Sequence, residues 1–528
     1  MRAPGRGFRK LVALACTLVA ACSKGGGSSS ETQAEKPLVG GLGKRLAGGP
    51  VADLKLTKDG AFATFLRNPK RPAIQGVSPL MALGELGVAS LKDGVVRFVG
   101  QGVSNRPGSV LFSPDSTWLL FVDGYNTAAE SGTLRTFQLG ASGEPEVRGR
   151  AVSFVAVSPT GKAFAFVDGG VLRVASLQAG STARAVATDV STATFTPDGT
   201  LLLVHHRASA GGTLERVLVE GNRPAVRLAD SVGDWTLSPD GKRVAFAVKS
   251  TVVRDGRDLW VAALPDGKPV RVVTGTGPFA FSADGTLLAR IEREKASSIG
   301  NLVVGPASGG TGRKVAERVG DFSFAPDGNA VAALANYDEQ QKWGRLTYAP
   351  LPDGALVELG KRVTTWVWSP DNKHLAFNLR VFQPLPSVDL WLHARGKPSG
   401  AAVMANVYGY DFGPGGALYF RTECIREARA CSLARLDPGI PDGKPTPILE
   451  GIFGFRPSEA GNRMLVTYAR TDAETYDVAV LNLKTNVRVT LEERILLPAL
   501  FADPEGQKVV YLVSYGERSG LYVCDQLP

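Results

Sequence analysis

The chain has 528 residues, of which 44% are hydrophobic, and a formal net charge of +10 from 60 basic and 50 acidic side chains. Four of the basic residues lie within the first ten positions, and the others are spread along the chain without a run of five or six like charges. Because a basic balance favours anionic partners chiefly where the charge is concentrated, the composition argues against nucleic acid as a partner.

Residues 1–21 are predicted to be a signal peptide, because a basic start precedes an apolar stretch too short to cross a bilayer as a stable helix. The tetrapeptide VAAC that ends at Cys22 resembles the lipobox of bacterial lipoproteins. This resemblance implies that Cys22 is lipidated and begins the mature protein. Residues 22–38 are rich in Gly and Ser and are predicted to form a flexible tether. Ser23 resembles the residue that directs such proteins to the outer membrane.

Three cysteines follow the tether. Cys424 and Cys431 bracket the octapeptide CIREARAC, and an oxidising envelope predicts a disulfide between them. A metal site would need about four ligands, typically with His among them, and none of the four His residues is close in sequence to this loop. Cys524 is an alternative partner for either cysteine.

A ten-residue motif, exemplified by LSPDGKRVAF at 237–246, recurs along most of the chain at intervals of 38–45 residues. With a degenerate unit at 56 and a late one at 501, eleven units of about 44 residues can be counted, and this periodicity indicates a repeat architecture. The nine central units carry, at the turn position, Pro114, Pro159, Pro197, Pro239, Ala283, Pro326, Pro370, Pro414 and Pro457.

The local chemistry of each unit predicts β-structure. Pro, Asp and Gly favour a tight turn, and large and small residues alternate before it, as in Trp235-Thr236-Leu237. Three further apolar segments follow each turn, which gives four antiparallel strands per repeat. Four strands in a repeat of this length predict a β-propeller blade and an all-β fold.

The S-P-D-G turn, followed by [KR]-x-[LIV]-A-[FY] and then by D-[LI]-[WY]-V, resembles the TolB-type, WD-like propeller repeat over roughly residues 39–528. The resemblance implies a propeller but no single function, because this repeat serves protein-binding scaffolds, peptidase companion domains and lyases. TolB itself has an α/β domain before one six-bladed ring, whereas here the tether leads directly into repeats.

Eleven units exceed the usual four to eight blades, so we predict two tandem propellers, at 39–275 and 276–528, with one large ring as the alternative. The last unit ends at its third strand, and KRLAG at 44–48 has the pattern of a fourth strand without a blade. A strand donated from one terminus to the other fits either one large ring or two rings with a shared closure.

No nucleophile elbow, zinc helix, P-loop or EF-hand spacing occurs, and no cofactor or metal is predicted. Asp234, Asp321 and Asp411 lie on the first strand of their units, which is the innermost strand of a propeller blade. They are therefore candidates for residues that line a central channel and bind a cation or a basic ligand. The alternative, which the sequence favours, is that each carboxylate bonds the backbone at the start of its strand.

Residues 68–84, 335–344 and 424–431 are irregular connections, where binding specificity is expected on a rigid scaffold. The sequence thus favours a non-enzymatic, lipid-anchored scaffold in the bacterial cell envelope, at the outer membrane, that binds a protein, a peptide or a glycan. The alternative is an envelope lyase or hydrolase with its site at the central channel.

Overall fold

The structure is a computed structural model that describes residues 41–525 and 527 except for 73–80, 207–210, 222, 254, 294–298, 382–386, 426, 441–442, 471–474 and 514–515. The predicted signal peptide, Cys22, the tether and the middle of the 68–84 loop lie outside the described residues. Within the described part, no helix is long and apolar enough to cross a membrane. The helices there are two single 3-10 turns, Pro414–Gly416 and Gly516–Arg518.

Forty strands make up the rest of the regular structure in the described ranges. The first half of the chain contains β1 (Lys44–Gly48), β2 (Val51–Leu56), β3 (Phe62–Lys70), β4 (Leu83–Ser90), β5 (Val96–Ser104), β6 (Val110–Phe112), β7 (Trp118–Asn126), β8 (Ser131–Gln138), β9 (Glu146–Val157), β10 (Ala163–Asp168), β11 (Val171–Ser176), β12 (Arg184–Thr188), β13 (Val190–Phe195), β14 (Leu201–His206), β15 (Gly212–Leu218), β16 (Val226–Leu237), β17 (Arg243–Lys249), β18 (Arg257–Ala263) and β19 (Val270–Val273).

The second half contains β20 (Thr276–Phe281), β21 (Leu287–Glu292), β22 (Gly300–Pro306), β23 (Arg313–Val319), β24 (Phe322–Phe324), β25 (Ala330–Asp338), β26 (Trp343–Pro350), β27 (Val357–Trp368), β28 (His374–Val381), β29 (Ser387–Ala394), β30 (Ala401–Met404), β31 (Gly409–Phe412), β32 (Leu418–Ile425), β33 (Ala430–Leu436), β34 (Thr446–Ile452), β35 (Gly454–Pro457), β36 (Arg463–Ala469), β37 (Tyr476–Asn482), β38 (Arg488–Phe501), β39 (Val509–Val513) and β40 (Gly520–Cys524).

These strands form seven antiparallel sheets that divide into eleven four-stranded blades. Three blades are separate sheets, namely β2–β5, β20–β23 and β31–β34. The other eight are joined in pairs by β9, β16, β27 and β38, each of which is the fourth strand of one blade and the first strand of the next. The all-β prediction of repeated four-stranded blades is therefore confirmed.

The recurrent turn between the first and second strands is built around a buried hydroxyl group. In the fifth blade, Ser238 Oγ donates to Asp240 Oδ1 at 2.5 Å and accepts from Arg243 N at 2.9 Å. The same carboxylate accepts from Lys242 N at 3.0 Å, and Gly241 adopts a φ of +71° that favours glycine. The hydroxyl-to-aspartate bond recurs in four other blades, at Ser113–Asp115, Thr196–Asp198, Ser282–Asp284 and Ser369–Asp371.

Replacing Ser238 by alanine should lower the free energy of unfolding by about 1–2 kcal/mol, because Arg243 N loses a buried acceptor and the Asp240 carboxylate loses a donor. Urea unfolding of the full chain measures this loss. Ser153 is exposed on β9, so Ser153→Ala is the matched control and should change stability by less than about 0.5 kcal/mol. Equal losses in the two variants would contradict a structural role for the turn hydroxyl.

Adjacent blades pack through hydrophobic clusters that follow the chain from the first blade to the last. The fifth and sixth blades share one such cluster, in which Leu259 and Val261 lie with Phe281 and Leu288. This cluster contains residues from both sides of position 275, where the sequence predicted a boundary between two rings. Continuous packing at that point favours the alternative of one large ring.

The two ends of the repeat array also meet. β1 pairs antiparallel with β40, with Lys44 opposite Val523, and so supplies the fourth strand of the eleventh blade. The pairing predicted for KRLAG at 44–48 is therefore confirmed.

The eleventh blade packs against the first as well as receiving β1. Val510 and Leu512 of β39 lie in one buried cluster with Val51 of β2 and Phe65 of β3. Leu46 of β1 packs against the same cluster. Packing therefore links the last blade to the first, as a single closed cycle requires.

Candidate functional site

The three connections singled out from the sequence occur at equivalent places in their blades. Residues 68–84, 335–344 and 424–431 contain the links from β3 to β4, from β25 to β26 and from β32 to β33, which are second-to-third-strand links. Because neighbouring strands are antiparallel, these links lie at the strand ends opposite the S-P-D-G turns. We call this side of the blades the loop face.

The 424–431 connection is closed by a disulfide. Cys424 and Cys431 are bonded across the end of the β32–β33 hairpin, which is the pairing expected from the sequence. Cys524 is a buried thiol on β40 and lies outside this disulfide. The cross-link restricts the backbone at the tip of the ninth blade.

Arg429 holds the disulfide loop against the tenth blade. Its guanidinium carbon lies 4.8 Å from the ring centroid of Phe453 and 5.6 Å from that of Tyr476, and its Nη2 donates to the Tyr476 hydroxyl at 2.9 Å. The two rings are themselves 4.9 Å apart. A cation–π contact contributes about 0.5–1 kcal/mol at an exposed site. The loop is therefore braced both within its own blade and against the next.

Near the disulfide loop, two large apolar or aromatic side chains are exposed to solvent. Ile425, beside the disulfide, is 60% exposed, and Tyr408, immediately before β31, is 61% exposed. Ile440 is 59% exposed but lies on the link between the third and fourth strands of the same blade, on the opposite side. The ninth blade thus carries a braced apolar tip on its loop face.

A groove of about 440 Å³ lies near the 335–344 connection, between β23 and the strands of the seventh blade. Asn336 borders it at one end of this connection. Lys314 Nζ lies 2.5 Å from Glu317 Oε1, and Arg345 Nη1 lies 3.1 Å from Glu358 Oε2, so its charged side chains are paired with each other. The groove is polar with balanced charge and suits a hydrogen-bonding ligand without strong net charge.

The three predicted channel aspartates do not share one register position. Strand pairing aligns Asp321 with Asp234 and aligns Asp411 with Thr236, two residues further along the first strand. Asp234 Oδ2 lies 3.8 Å from Arg257 Nη1. The carboxylates of Asp321 and Asp411 each accept a hydrogen bond from the backbone N–H of the next residue, at 2.9 and 2.8 Å.

The described residues contain no group of three or more His, Cys, Asp or Glu side chains that could hold a metal ion. Asp234, Asp321 and Asp411 are exposed, on three different blades. Their binding of a cation or basic ligand stays a prediction, and the backbone bonds of Asp321 and Asp411 match the alternative interpretation.

The histidine pair at the end of β14 is used in local hydrogen bonds. His206 Nδ1 lies 2.8 Å from Thr188 O, and His206 Nε2 lies 2.9 Å from Glu215 Oε2. His205 Nε2 lies 3.1 Å from Val232 O. The partners lie on β12, β15 and β16, so both imidazole rings are used in contacts that hold the end of β14 in place.

Two arginines that the sequence motifs did not single out as site residues lie in the ninth and tenth blades. Arg421, on β32, donates from Nη1 to Phe453 O at 2.5 Å and from Nη2 to Tyr408 O at 3.4 Å. Arg456 lies on β35, the first strand of the tenth blade. Burial lowers the pKa of both guanidinium groups. Neither side chain forms an ion pair with a carboxylate in the described part of the chain. Their environment depends on the register between blades, which the repeat motif does not reveal.

No protein-family model and no curated protein matches the chain. Among solved structures, a eukaryotic initiation factor is similar with a TM-score of 0.42 and 14% identity, over 70% of this chain and 95% of that one. The tricorn protease is similar with a TM-score of 0.28 and 10% identity, over 84% of this chain and 58% of that one, so less than two thirds of its length is spanned. Similarities this low carry no functional argument, and the propeller-like fold rests on the strand pairing described above.

Proposed function

We propose that the protein is a lipid-anchored scaffold of the bacterial cell envelope, built as one closed propeller of eleven TolB-like blades, that binds a protein or peptide through its loop face. The lipid anchor at Cys22 and the outer-membrane location rest on the VAAC and Ser23 resemblances. The single ring rests on the packing of the eleventh blade against the first and on the pairing of β1 with β40.

The observation that carries the binding proposal is the braced tip of the ninth blade. An exposed apolar side chain gains free energy when a partner covers it. On a flexible loop, part of that gain is lost in ordering the backbone on binding. Here the disulfide and the Arg429 contacts fix the loop before a partner arrives, so Ile425 is presented at little entropic cost.

The proposal is tested by placing a photo-crosslinking amino acid, benzoylphenylalanine, at position 425 of the full chain in living cells. We expect a discrete protein adduct on irradiation, identified by mass spectrometry. Ile440 provides a matched control, because it is also an isoleucine of the ninth blade with nearly the same exposure but lies on the opposite side. The probe at 440 should give no corresponding adduct.

The role of the bracing is tested by adding Arg429→Met to the position-425 probe. We expect a weaker adduct, because the loop loses its contacts with Phe453 and Tyr476 while the disulfide remains. An equal adduct at 425 and 440 would indicate non-specific contact, and no adduct at 425 would overturn the loop-face proposal. Capture of a glycan instead of a protein would also overturn the choice of partner class.

A further inference from the structure

The third strand of the eighth blade carries a histidine at a position that is apolar in most other blades. His393 of β29 pairs with Leu375 of β28, and the same pairing of second and third strands identifies the equivalent residue elsewhere. From the first blade to the eleventh, without the eighth, these residues are Ala89, Phe137, Ala175, Val217, Ala262, Gly305, Ala349, Leu436, Leu481 and Cys524. Within this set, His393 is the one side chain that becomes a cation near neutral pH.

The environment of the His393 ring suits only its neutral form. The side chain is fully buried. Its Nδ1 lies 3.3 Å from Ser399 O, and because a carbonyl oxygen can only accept, the neutral ring carries its proton on Nδ1. Nε2 is buried and has no hydrogen-bond partner in the described part of the chain. A proton added to Nε2 would therefore create a buried cation whose new donor lacks an acceptor, which is costly.

The ring of His393 lies in the interface between the seventh and eighth blades. Its centroid is 5.1 Å from that of Tyr348 on β26. Tyr348 and Leu375 belong to the hydrophobic cluster that the two blades share. His374, the residue before Leu375, is also buried, and its Nδ1 has no hydrogen-bond partner among the described residues. The interface thus contains two buried imidazole rings, and a charge on either one opposes protonation of the other.

The neighbouring titratable groups do not offset the cost of a buried imidazolium. Around the two rings, the charged or titratable side chains of the packed strands and turns are Asp327, Tyr348, Asp371, Lys373 and Arg395. Asp371 favours a charged His374 and Lys373 opposes it, whereas no carboxylate in the described ranges forms an ion pair with His393. Burial is the largest effect, and it lowers the pKa of both histidines.

The two blades can separate at one end while they stay joined at the other. At the loop face they share β27, in which Val363 pairs with Gly344 of the seventh blade and with Leu379 of the eighth. At the S-P-D-G ends, Asp327 Oδ2 of the seventh blade accepts from Arg395 Nη1 of the eighth at 2.5 Å. His393 lies near the end of β29 that leads to Arg395, and therefore close to this ion pair.

We propose that His393 is a proton sensor, and that a proton on its Nε2 opens the junction between the seventh and eighth blades at their S-P-D-G ends, with β27 as the hinge. Because β27 keeps the two blades in one sheet, this opening requires the proton. The inference goes beyond the scaffold function proposed above. Its test uses the purified chain without a partner, so failure of one proposal leaves the other standing.

The sign of the pH dependence follows from the neutral state of the buried ring. A histidine whose folded pKa lies below its unfolded value does not affect stability at high pH, and it lowers stability as pH falls from about 6.5 through the folded pKa. The open junction exposes the ring to water, where its pKa returns towards the ordinary value. Acid therefore favours the open junction.

The test is amide hydrogen exchange of the full chain in detergent at pH 7.5 and pH 5.5, expressed as protection factors so that the intrinsic effect of pH on exchange is removed. We expect protection in β26 and β29 to fall at least about threefold, towards the limit of about tenfold that one histidine sets one pH unit below its ordinary pKa. Protection in β8, where Phe137 takes the equivalent position, should stay unchanged.

Two variants replace the sensor by residues that other blades use at this position. His393→Leu introduces the residue of the ninth and tenth blades, and His393→Phe introduces that of the second. Either variant that is folded at pH 7.5 should lose the acid response of β26 and β29. His206→Gln is the control, because it removes a histidine of the fourth blade whose Nε2 lies 2.9 Å from Glu215 Oε2, and it should keep that response.

Two results would overturn the proposal. One is that protection in β26 and β29 of the natural protein falls no more than protection in β8. The other is that the fall persists in the folded His393 variants. The first result requires only the natural protein, so the proposal stays testable even where a substitution prevents folding.

Discussion

Replacing Arg518 by methionine should lower the free energy of unfolding by about 3–5 kcal/mol, because it leaves a buried carboxylate without its counter-charge. Arg518 Nη2 donates a hydrogen bond to Glu492 Oε2, and the Glu492 side chain is only 2% exposed. Urea unfolding of the full chain measures the loss. The pair Lys314–Glu317 is more than half exposed on both sides, so Lys314→Met is the control and should cost less than about 1 kcal/mol.

The pH dependence of this variant provides an internal check. Burial raises the pKa of Glu492 even with Arg518 present, and loss of the cation should raise it further. A carboxyl group whose folded pKa exceeds its unfolded value favours folding at low pH, and this contribution disappears as pH rises through the folded pKa. Arg518→Met should therefore recover part of its stability when the pH is lowered from 7 towards 5, relative to the natural protein.

The double variant Arg518→Met/Glu492→Gln decides between this explanation and simple loss of packing. Removing the carboxylate charge should restore much of the stability, because the uncompensated buried charge is the main cost. If the double variant is as unstable as Arg518→Met, the charge argument is wrong.

Replacing residues 44–48 by GSGSG should destabilise the protein by at least about 3 kcal/mol, because the eleventh blade loses the outer strand that completes it. The change removes the Leu46 side chain, which packs against the cluster shared by the first and last blades. It also raises the backbone entropy cost of pairing with β40. Thermal and urea unfolding measure the effect. Leu42 is 56% exposed, so Leu42→Ser is the control and should have little effect.

A synthetic peptide spanning residues 40–50 should partly restore the stability of the GSGSG variant. An added strand supplies its own main-chain hydrogen bonds to an open sheet edge, which β40 would then present. Restoration by this peptide, but not by one of scrambled order, would show that the loss arises at the β40 edge. Unchanged stability in the GSGSG variant would contradict the closure by β1.

Much of the fold could be predicted because its determinants are local. The S-P-D-G turn encodes its own hydrogen bonds within six residues, and the alternation before it encodes a strand. The closing strand was also predictable, because the last repeat lacks a fourth strand and KRLAG at 44–48 has that pattern. The sequence could not decide between one ring and two, since the packing of Leu259 against the sixth blade is not visible in a repeat period.

The site could be predicted less well because it depends on register. Counting from the turn proline placed Pro457 in the turn of the tenth repeat, but the hydroxyl that accepts the turn N–H there is Ser458, which corresponds to Ser238, so this repeat is shifted by two residues. The same kind of shift separates Asp411 from Asp234. A shift in register changes which residues of the neighbouring strands a side chain lies beside, and this is why the position of Arg456 follows only from strand pairing.

The strands shared between blades have a consequence for how the molecule comes apart. Four strands form backbone hydrogen bonds within two neighbouring blades at once, namely β9, β16, β27 and β38. Local opening in proteins tends to follow contiguous cooperative units, and here a unit is defined by an unbroken ladder rather than by a repeat of the motif. The sequence therefore contains eleven repeats, whereas the structure contains seven hydrogen-bonded sheets. Local opening should begin at the junctions where packing alone connects one sheet to the next.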